Sequence, residues 1–240
     1  MSQGVQSLGG IALLASLGAE ELERLERRSA WRRYDANEQI IDRNDDNRDV
    51  MFVAEGNVRV VNYSVSGREV SYANIAKGGF FGEMAAIDGQ PRSASVVATE
   101  KCLLAALPPQ AFVALVREHP DLAIEVMRRL ARIIRTDDDR IMDLSTLGAV
   151  QRVYVELLRM GRPDPAGTDA LAIFPLPPHK EIASRASTTR ETVARVISQL
   201  TSDGLVERRD KALYVLNPER LKELASRLEE ARGNQAAGSA

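Results

Sequence analysis

The stretch Gly78-Gly79-Phe80-Phe81-Gly82-Glu83-Met84-Ala85-Ala86-Ile87-Asp88-Gly89-Gln90-Pro91-Arg92-Ser93-Ala94 decides the fold. Its small residues let backbone N–H groups come close to a ligand. A carboxylate follows at Glu83, and a guanidinium at Arg92 lies beyond a short connection containing Gly89 and Pro91. Phosphate is met by arginine and exposed amides, and a sugar hydroxyl by a carboxylate acceptor. Glu83 and Arg92 together therefore suit the two ends of a ribose-phosphate. The Ala85–Ile87 portion predicts a short helix whose N-terminus faces an anion.

Around this stretch the chain reads as short strands. Gly56, Gly67, Gly78 and Gly89 recur every eleven residues, several in turn-like pairs such as Glu55-Gly56, Ser66-Gly67 and Asp88-Gly89. Between them lie Val58-Arg59-Val60-Val61, Val70-Ser71-Tyr72 and Ser95-Val96-Val97-Ala98. Evenly spaced turns with β-branched runs predict an antiparallel barrel or roll. Upstream, residues 1–12 are Gly/Ser-rich and read as frayed. From Leu13 short amphipathic helices follow, with Leu22 and Leu25 on one face.

Downstream of Pro109 the period becomes helical. From Pro120-Asp121 onward, Ala123, Met127, Leu130, Ile134, Asp137, Ile141, Leu144 and Gly148 step by four and three. About three to four heptads of such a seam predict a coiled-coil homodimer, the alternative being a helix packed on its own roll. Asp137 is the odd member, because a carboxylate in a seam needs a partner. A ligand donor would satisfy it, and so would a cross-dimer Arg135 or Arg140. Asp138 and Asp139 also suit a solvated acidic face.

The totals narrow the classes of function. With 240 residues, 44% apolar, the chain suits one large domain or two modest ones. A net charge of −2 gives no global basic field, so any nucleic-acid surface must be local. Cys102 is the single cysteine and sits in an apolar run, which excludes a disulfide framework and a Cys-ligated cluster. His119 and His179 are the two histidines, too few for a multi-histidine metal site, and no metal is expected. No apolar run approaches the roughly 20 residues of a membrane span, and no leader opens the chain. A cytoplasmic protein without a membrane partner is expected.

Gly161–Gly167 breaks the helical text as a loop, and Pro175-Leu176-Pro177-Pro178 leads into the last module. Residues 179–200 hold two short helices around a tight turn, with Ile182, Ala186, Val193 and Val196 facing inward and Ala183 permitting close approach. That is a helix-turn-helix layout. Thr188 or Thr189 can cap the second helix and bond a phosphate. Arg190, Glu191 and Arg195 fall where side chains reach base edges. Arginine pairs with guanine and glutamate accepts from cytosine, each good pair giving about 1–3 kcal/mol of discrimination. Arg and Glu on a helix also suit a plain solvated face. Residues 205–215 add a hairpin with a basic tip, a wing for phosphates. The Ala/Gly-rich residues 232–240 read as disordered.

Together, Phe81-Gly82-Glu83-Met84-Ala85 with Arg92-Ser93-Ala94, and Thr189-Arg190-Glu191-Thr192-Val193-Ala194-Arg195, resemble the family of the cyclic-AMP receptor protein (catabolite activator protein) and the fumarate–nitrate regulators. The resemblance runs from about Leu17 to Leu216. It implies an α+β chain with a jelly-roll-like antiparallel β-roll that binds a cyclic nucleotide over residues 13–118. A dimerisation helix over 119–147, a winged helix-turn-helix domain over 148–220 and a C-terminal helix with a disordered tail over 221–240 would follow. Gly82, Glu83 and Met84 would then meet the ribose and phosphate, Arg92 and Ser93 the cyclic phosphate, and Asp137 and Asp138 the base. Double-stranded DNA would be held by His179, Lys180, Thr189, Arg190, Glu191 and Arg195. The match at 190, 191 and 195 implies a TGTGA-like half-site in a palindrome, with RNA polymerase as a further partner.

Two departures matter. Asp137 and Asp138 stand where the cyclic-AMP receptor carries Thr and Ser. An aspartate accepts one hydrogen bond from the adenine amino group but two from guanine, so cyclic AMP and cyclic GMP are both expected effectors. Ser187 replaces the glycine usual in the turn. The absence of a cysteine cluster argues against an iron–sulfur oxygen sensor, and the scarcity of histidine against a haem-based sensor. A cyclic-nucleotide-binding regulatory subunit of a kinase or channel is the competing class, and the helix-turn-helix argues against it; a family member responding to another ligand or to none is the other alternative. No nucleophile–base set marks an enzyme.

Overall fold

A computed structural model of the chain describes residues 6–65 and 69–226. The chain divides into two compact units, 1–133 and 134–240. The Ser66-Gly67 turn and the tail at 232–240 lie outside the described residues.

In the first unit a 3-10 turn at Ala12–Leu14 and α1 (Ala19–Arg28) precede the strands. These are β1 (Ala30–Tyr34), β2 (Gln39–Ile41), β3 (Val50–Glu55), β4 (Asn57–Tyr63), β5 (Glu69–Ala76), β6 (Phe80–Phe81), β7 (Ser95–Ala98) and β8 (Cys102–Leu107). Between β6 and β7 lies α2 (Glu83–Asp88), and after β8 come α3 (Pro109–Glu118) and α4 (Pro120–Thr146). One sheet has the order β1-β8-β3-β6 and the other β2-β7-β4-β5, with antiparallel pairing throughout.

The first sheet is covered on both faces, and its sequence shows why. Along β3, Met51 and Val53 point into a core shared with Val58, Ile75 and Val96 of the second sheet. The alternate Val50 and Phe52 point to a second core with Leu14, Leu25, Phe112 and Leu115. Strand β8 divides likewise, with Leu104 and Ala106 on one side and Ala105 and Leu107 on the other. A strand buried on both faces reads as a continuous apolar run, as Val50–Ala54 and Cys102–Leu107 do. Gly56, Gly78 and Gly89 all take positive φ (84°, 88° and 70°), so these three of the regularly spaced glycines are turn residues.

The fraying expected for residues 1–12 is corrected for the described part. Leu8 and Ile11 are fully buried in the helix-side core, and Leu8 N–H donates to Glu26 Oε1 at 2.7 Å. Two large aliphatic side chains within a Gly/Ser-rich segment suffice to dock it.

Helix α4 starts at Pro120, whose fixed φ suits a first helical turn. Leu122 and Val126 are buried against the helix-side core, and Leu130 packs partly on it. Seam residues Met127, Ile134, Ile141 and Leu144 are 54%, 60%, 61% and 52% exposed, an apolar stripe without cover. Gly148 is not a member of that helix. It is the extended residue that starts α5 (Ala149–Met160), where Gln151 Oε1 accepts its N–H at 2.8 Å.

The second unit continues with β9 (Arg162–Pro163), β10 (Leu171–Ile173), α6 (His179–Arg185), α7 (Arg190–Ser202), β11 (Val206–Arg209) and β12 (Ala212–Val215). Its core joins Val153 and Leu157 of α5 to Ile182, Val193, Val196, Leu200, Leu213 and Val215. The wing hairpin β11–β12 is one half of a four-stranded sheet in the order β11-β12-β10-β9. The Gly161–Gly167 loop thus begins with a short strand, pairing Arg162 with Ala172 and Pro163 with Leu171. No helix among the described residues is long and apolar enough to cross a membrane.

Candidate functional site

The Phe-Gly-Glu turn is built around a missing Cβ. Gly82 sits between β6 and α2 with φ 86° and ψ 5°, a left-handed conformation that glycine adopts without steric cost. A Cβ there would meet Arg92 Nη1 at 2.5 Å and the Asp49 carbonyl oxygen at 2.9 Å. Conformation and space therefore both demand glycine. Gly89 closes α2 in the left-handed conformation, donating its N–H to Ala85 O at 3.1 Å, and returns the chain to Arg92.

Arg92 is 5% exposed. Nη1 donates to Gly82 O at 3.1 Å, and Nη2 to Asp49 O at 2.8 Å and Asn47 Oδ1 at 3.3 Å. All three acceptors are neutral, and Nε has no partner among the described residues. Burial pulls the guanidinium below its ordinary value, opposed by the fields of Asp49, Asp45 and Glu83. A guanidinium stays protonated in proteins, so a full positive charge is held in the interior bonded to neutral oxygens. Such a charge is completed by an anion, and the planar fork matches a phosphate.

Glu83, the first residue of α2, is also buried, at 4% exposure. Its partner is one the sequence reading missed. Arg129 of α4 donates from Nε to Glu83 Oε1 at 3.2 Å and from Nη2 to Phe80 O at 2.8 Å, and its guanidinium lies 4.5 Å from the Phe80 ring centroid. Phe80 in turn packs on Phe52 and Phe112. The available signal was positional. Leu122, Val126 and Arg129 follow i, i+4, i+7, so Arg129 lies on the roll-facing stripe of α4 and not on its seam.

Met84 and Ser93 flank the pair and are exposed, the Ser93 hydroxyl lying 3.8 Å from Met84 Sδ. Gly82, Glu83, Met84, Arg92 and Ser93 are thus gathered in one place in the first unit. Asp137, half-buried, and Asp138, exposed, belong to the part of α4 in the second unit. Cys102 is buried, as its apolar run implied, and burial raises its thiol above the usual range.

The helix-turn-helix assembles as its residue pattern implied. Ile182, Ala183, Ala186, Val193 and Val196 are buried, and Thr189 caps α7 by accepting the Thr192 N–H at 3.2 Å. Thr188 is buried instead of capping. Ser187 takes the left-handed φ of 49° that glycine would favour. Arg152 holds that turn: Nε donates to Ala186 O at 2.9 Å, Nη2 to Ser187 O at 3.0 Å and Nη1 to Leu147 O at 2.8 Å. Two charge-assisted bonds to carbonyls of the turn, at Ala186 and Ser187, offset the strain of a non-glycine residue there.

Lys180, Thr189, Arg190, Glu191 and Arg195 are exposed on this module. Lys180, Arg190 and Arg195 form no ion pair among the described residues. His179, half-buried at the start of α6, is held below the ordinary imidazole value by burial and then by Arg190 and Arg208. His179 at the start of α6 thus lies within the fields of Arg190 at the start of α7 and Arg208 of the wing. The Glu191 carboxyl is held below its ordinary value by its own backbone N–H and the Thr189 hydroxyl, which keeps it an acceptor.

One group of metal-type donors lies elsewhere, at Glu21, Glu118 and His119, with ligand atoms within 4.8 Å of one another. Hydrogen bonding accounts for it: His119 Nε2 lies 2.8 Å from Glu21 Oε1, and Arg24 pairs with the same oxygen at 3.1 Å.

Known proteins match both units. Residues 31–119 fit the family described as the cyclic nucleotide-binding domain, and residues 151–224 fit the Crp-like helix-turn-helix domain. The cyclic AMP receptor protein of Thermus thermophilus is 33% identical over 216 residues, 90% of this chain and 97% of that protein. The cAMP-activated global transcriptional regulator CRP of Salmonella typhimurium is 24% identical over 184 residues, 76% of this chain and 88% of that protein. Among solved structures, a CooA mutant from Carboxydothermus hydrogenoformans superposes with a TM-score of 0.76 at 21% identity, covering 94% of this chain and 98% of that one. FixK2 from Bradyrhizobium japonicum gives 0.67 at 23% identity, covering 82% and 96%.

Proposed function

The chain belongs to the cyclic AMP receptor protein family of helix-turn-helix transcription regulators, and from that premise we propose that it is a homodimer whose affinity for a palindromic DNA site is raised by a cyclic nucleotide. The observation that carries the ligand is Arg92, a buried guanidinium bonded to neutral oxygens. A cyclic phosphate supplies a directly bonded counter-charge, assisted by Ser93 and the Gly82 turn, while Glu83 accepts from the ribose and Met84 lines the edge. Asp137 and Asp138 face the base, and a carboxylate at 137 serves guanine at least as well as adenine.

Arg190, Glu191 and Arg195 read a TGTGA-like half-site. His179, Lys180 and Thr189 hold the flanking phosphates, and RNA polymerase is the further partner. The uncovered Met127, Ile134, Ile141 and Leu144 stripe supports pairing of two copies, whose two-fold axis sets two half-sites one helical turn apart. No covalent chemistry is required of any of these residues. Such a regulator works in the cytoplasm.

Calorimetry of the pure protein with cyclic AMP and cyclic GMP tests the reading. At least one nucleotide should bind, and Asp137→Thr should weaken cyclic GMP more than cyclic AMP. Binding of neither would overturn the ligand assignment. Cyclic AMP tighter by about tenfold or more would end the guanine reading argued from the aspartate.

A further inference from the structure

Helices α2 and α3 pack beside each other in the first unit, and a groove runs between them. Ala85 and Ala86 of α2 line one side, Val113 and Ala114 of α3 the other. These side chains are too small to fill it, and a hollow of about 330 Å³ stays open to solvent. That volume is at the lower end for small-ligand pockets. Two guanidiniums also line the groove: Arg48, from the connection between β2 and β3, and Arg117, in the last turn of α3. Both are exposed, and neither forms an ion pair among the described residues. Carboxylates are close in sequence, since Asp46 and Asp49 lie within two residues of Arg48 and Glu118 follows Arg117. Neither arginine takes one, and no carboxylate lines the groove.

A basic residue in the last turn of a helix is ordinary. Two unpaired guanidiniums beside a floor of alanine and valine are not. The combination is complementary to a molecule with an apolar body and one acidic end. The body displaces water from the floor, and the carboxylate accepts forked hydrogen bonds from an arginine. We propose that the α2–α3 groove is a second ligand site, taking a medium-chain monocarboxylate whose acid group meets Arg48 and Arg117. An acidic protein segment offers the same charge, but a stable protein interface buries about 800 Å² on each partner, and this hollow is of ligand size. Neither Arg92 nor any seam residue of α4 lines the groove, so the site does not depend on the cyclic-nucleotide reading. Its floor is nonetheless α2, the helix that begins at Glu83, so an occupant rests on the element that shapes the nucleotide grip.

The test is a titration of the full chain with octanoate, followed by saturation-transfer NMR. The neutral primary amide of octanoate and the tail-less acetate serve as controls. Octanoate should bind with a dissociation constant of about 1 mM or tighter. Amide and acetate should each bind about tenfold or more weakly, the first for want of charge and the second for want of a body. Arg48→Gln with Arg117→Gln should reduce octanoate to the level of the amide. Ala114→Trp, which fills the groove and leaves both charges, should weaken acid and amide alike by about tenfold or more, with folding of both variants checked by circular dichroism. Two variants acting on opposite ends of the ligand keep the test intact should one fail to fold. Both leave Arg92 and the α4 seam unaltered, so octanoate binding that survives them belongs to those places and overturns the proposal. Failure of octanoate to bind the wild type overturns it as well, and would leave the two arginines to an acidic protein segment.

Discussion

Gly82 shows how much a single atom decides. Its φ of 86° costs a non-glycine residue about 1–2 kcal/mol by itself, and the added Cβ would push on Arg92 and the Asp49 carbonyl. Gly82→Ala should therefore lower unfolding stability by about 2 kcal/mol or more in a denaturant titration and displace the buried guanidinium as well. A change within about 0.5 kcal/mol would show the turn to be relaxed. Gly82, Glu83 and Arg92 were legible in the sequence because their residue types announce close approach, an acceptor and an anion. Their supports were less so. Asp49 O and Gly82 O are backbone carbonyls, which any residue carries, and Asn47 lies 45 residues from Arg92 in the chain. Arg129 could be placed only by noticing a charge on the buried stripe of a helix whose seam drew attention to its other side.

Helix α4 carries two faces with two destinations. Leu122 and Val126 are spent on the roll's own core, whereas Ile134 and Ile141 are 60% and 61% exposed. Each of the two readings open from sequence has its own part of the helix: the N-terminal turns pack on the roll, and the exposed seam is what the dimer reading requires. Placing a charge in it, as Ile134→Asp with Ile141→Asp, should shift the protein from dimer to monomer in light scattering while leaving the helical circular dichroism in place. A dimer that persists unchanged would move the interface off this helix. The readable elements were those with short runs between turns or a helical period: β4, β5 and β7 by the runs at 58–61, 70–72 and 95–98, α7 by its inward 193 and 196 positions. Strands β9 and β10 were missed because two or three residues beside Pro163 carry no detectable alternation. The segment around Leu8 and Ile11 was misread because composition outweighed two individual side chains.

Across the whole chain, a ligand-gripping roll and a helix-turn-helix module share one polypeptide, with the long helix contributing residues to both units. Ligand can favour the DNA-competent arrangement only by binding it more tightly than the alternative, and DNA must then strengthen ligand binding by the same factor. Within the DNA-reading unit, α5 supplies the ties. Arg152 holds Leu147 O and the Ser187 turn, and Arg159 pairs with Asp143 at 2.5 Å. The end of α4 is thus bonded to the helix that holds the recognition turn, so a displacement of that end reaches α7 through side-chain contacts already present.

The central claim, that a cyclic nucleotide controls sequence-specific DNA binding, is met most directly by fluorescence anisotropy. A labelled TGTGA palindrome and a scrambled duplex are titrated with the protein, with and without saturating cyclic AMP or cyclic GMP, at fixed salt. The expected result is tight binding to the palindrome that is strengthened about tenfold or more by one nucleotide. Arg190→Ala should abolish the preference over the scrambled duplex while leaving nucleotide binding intact. Equal affinity for the palindrome in the presence and absence of both nucleotides would contradict it.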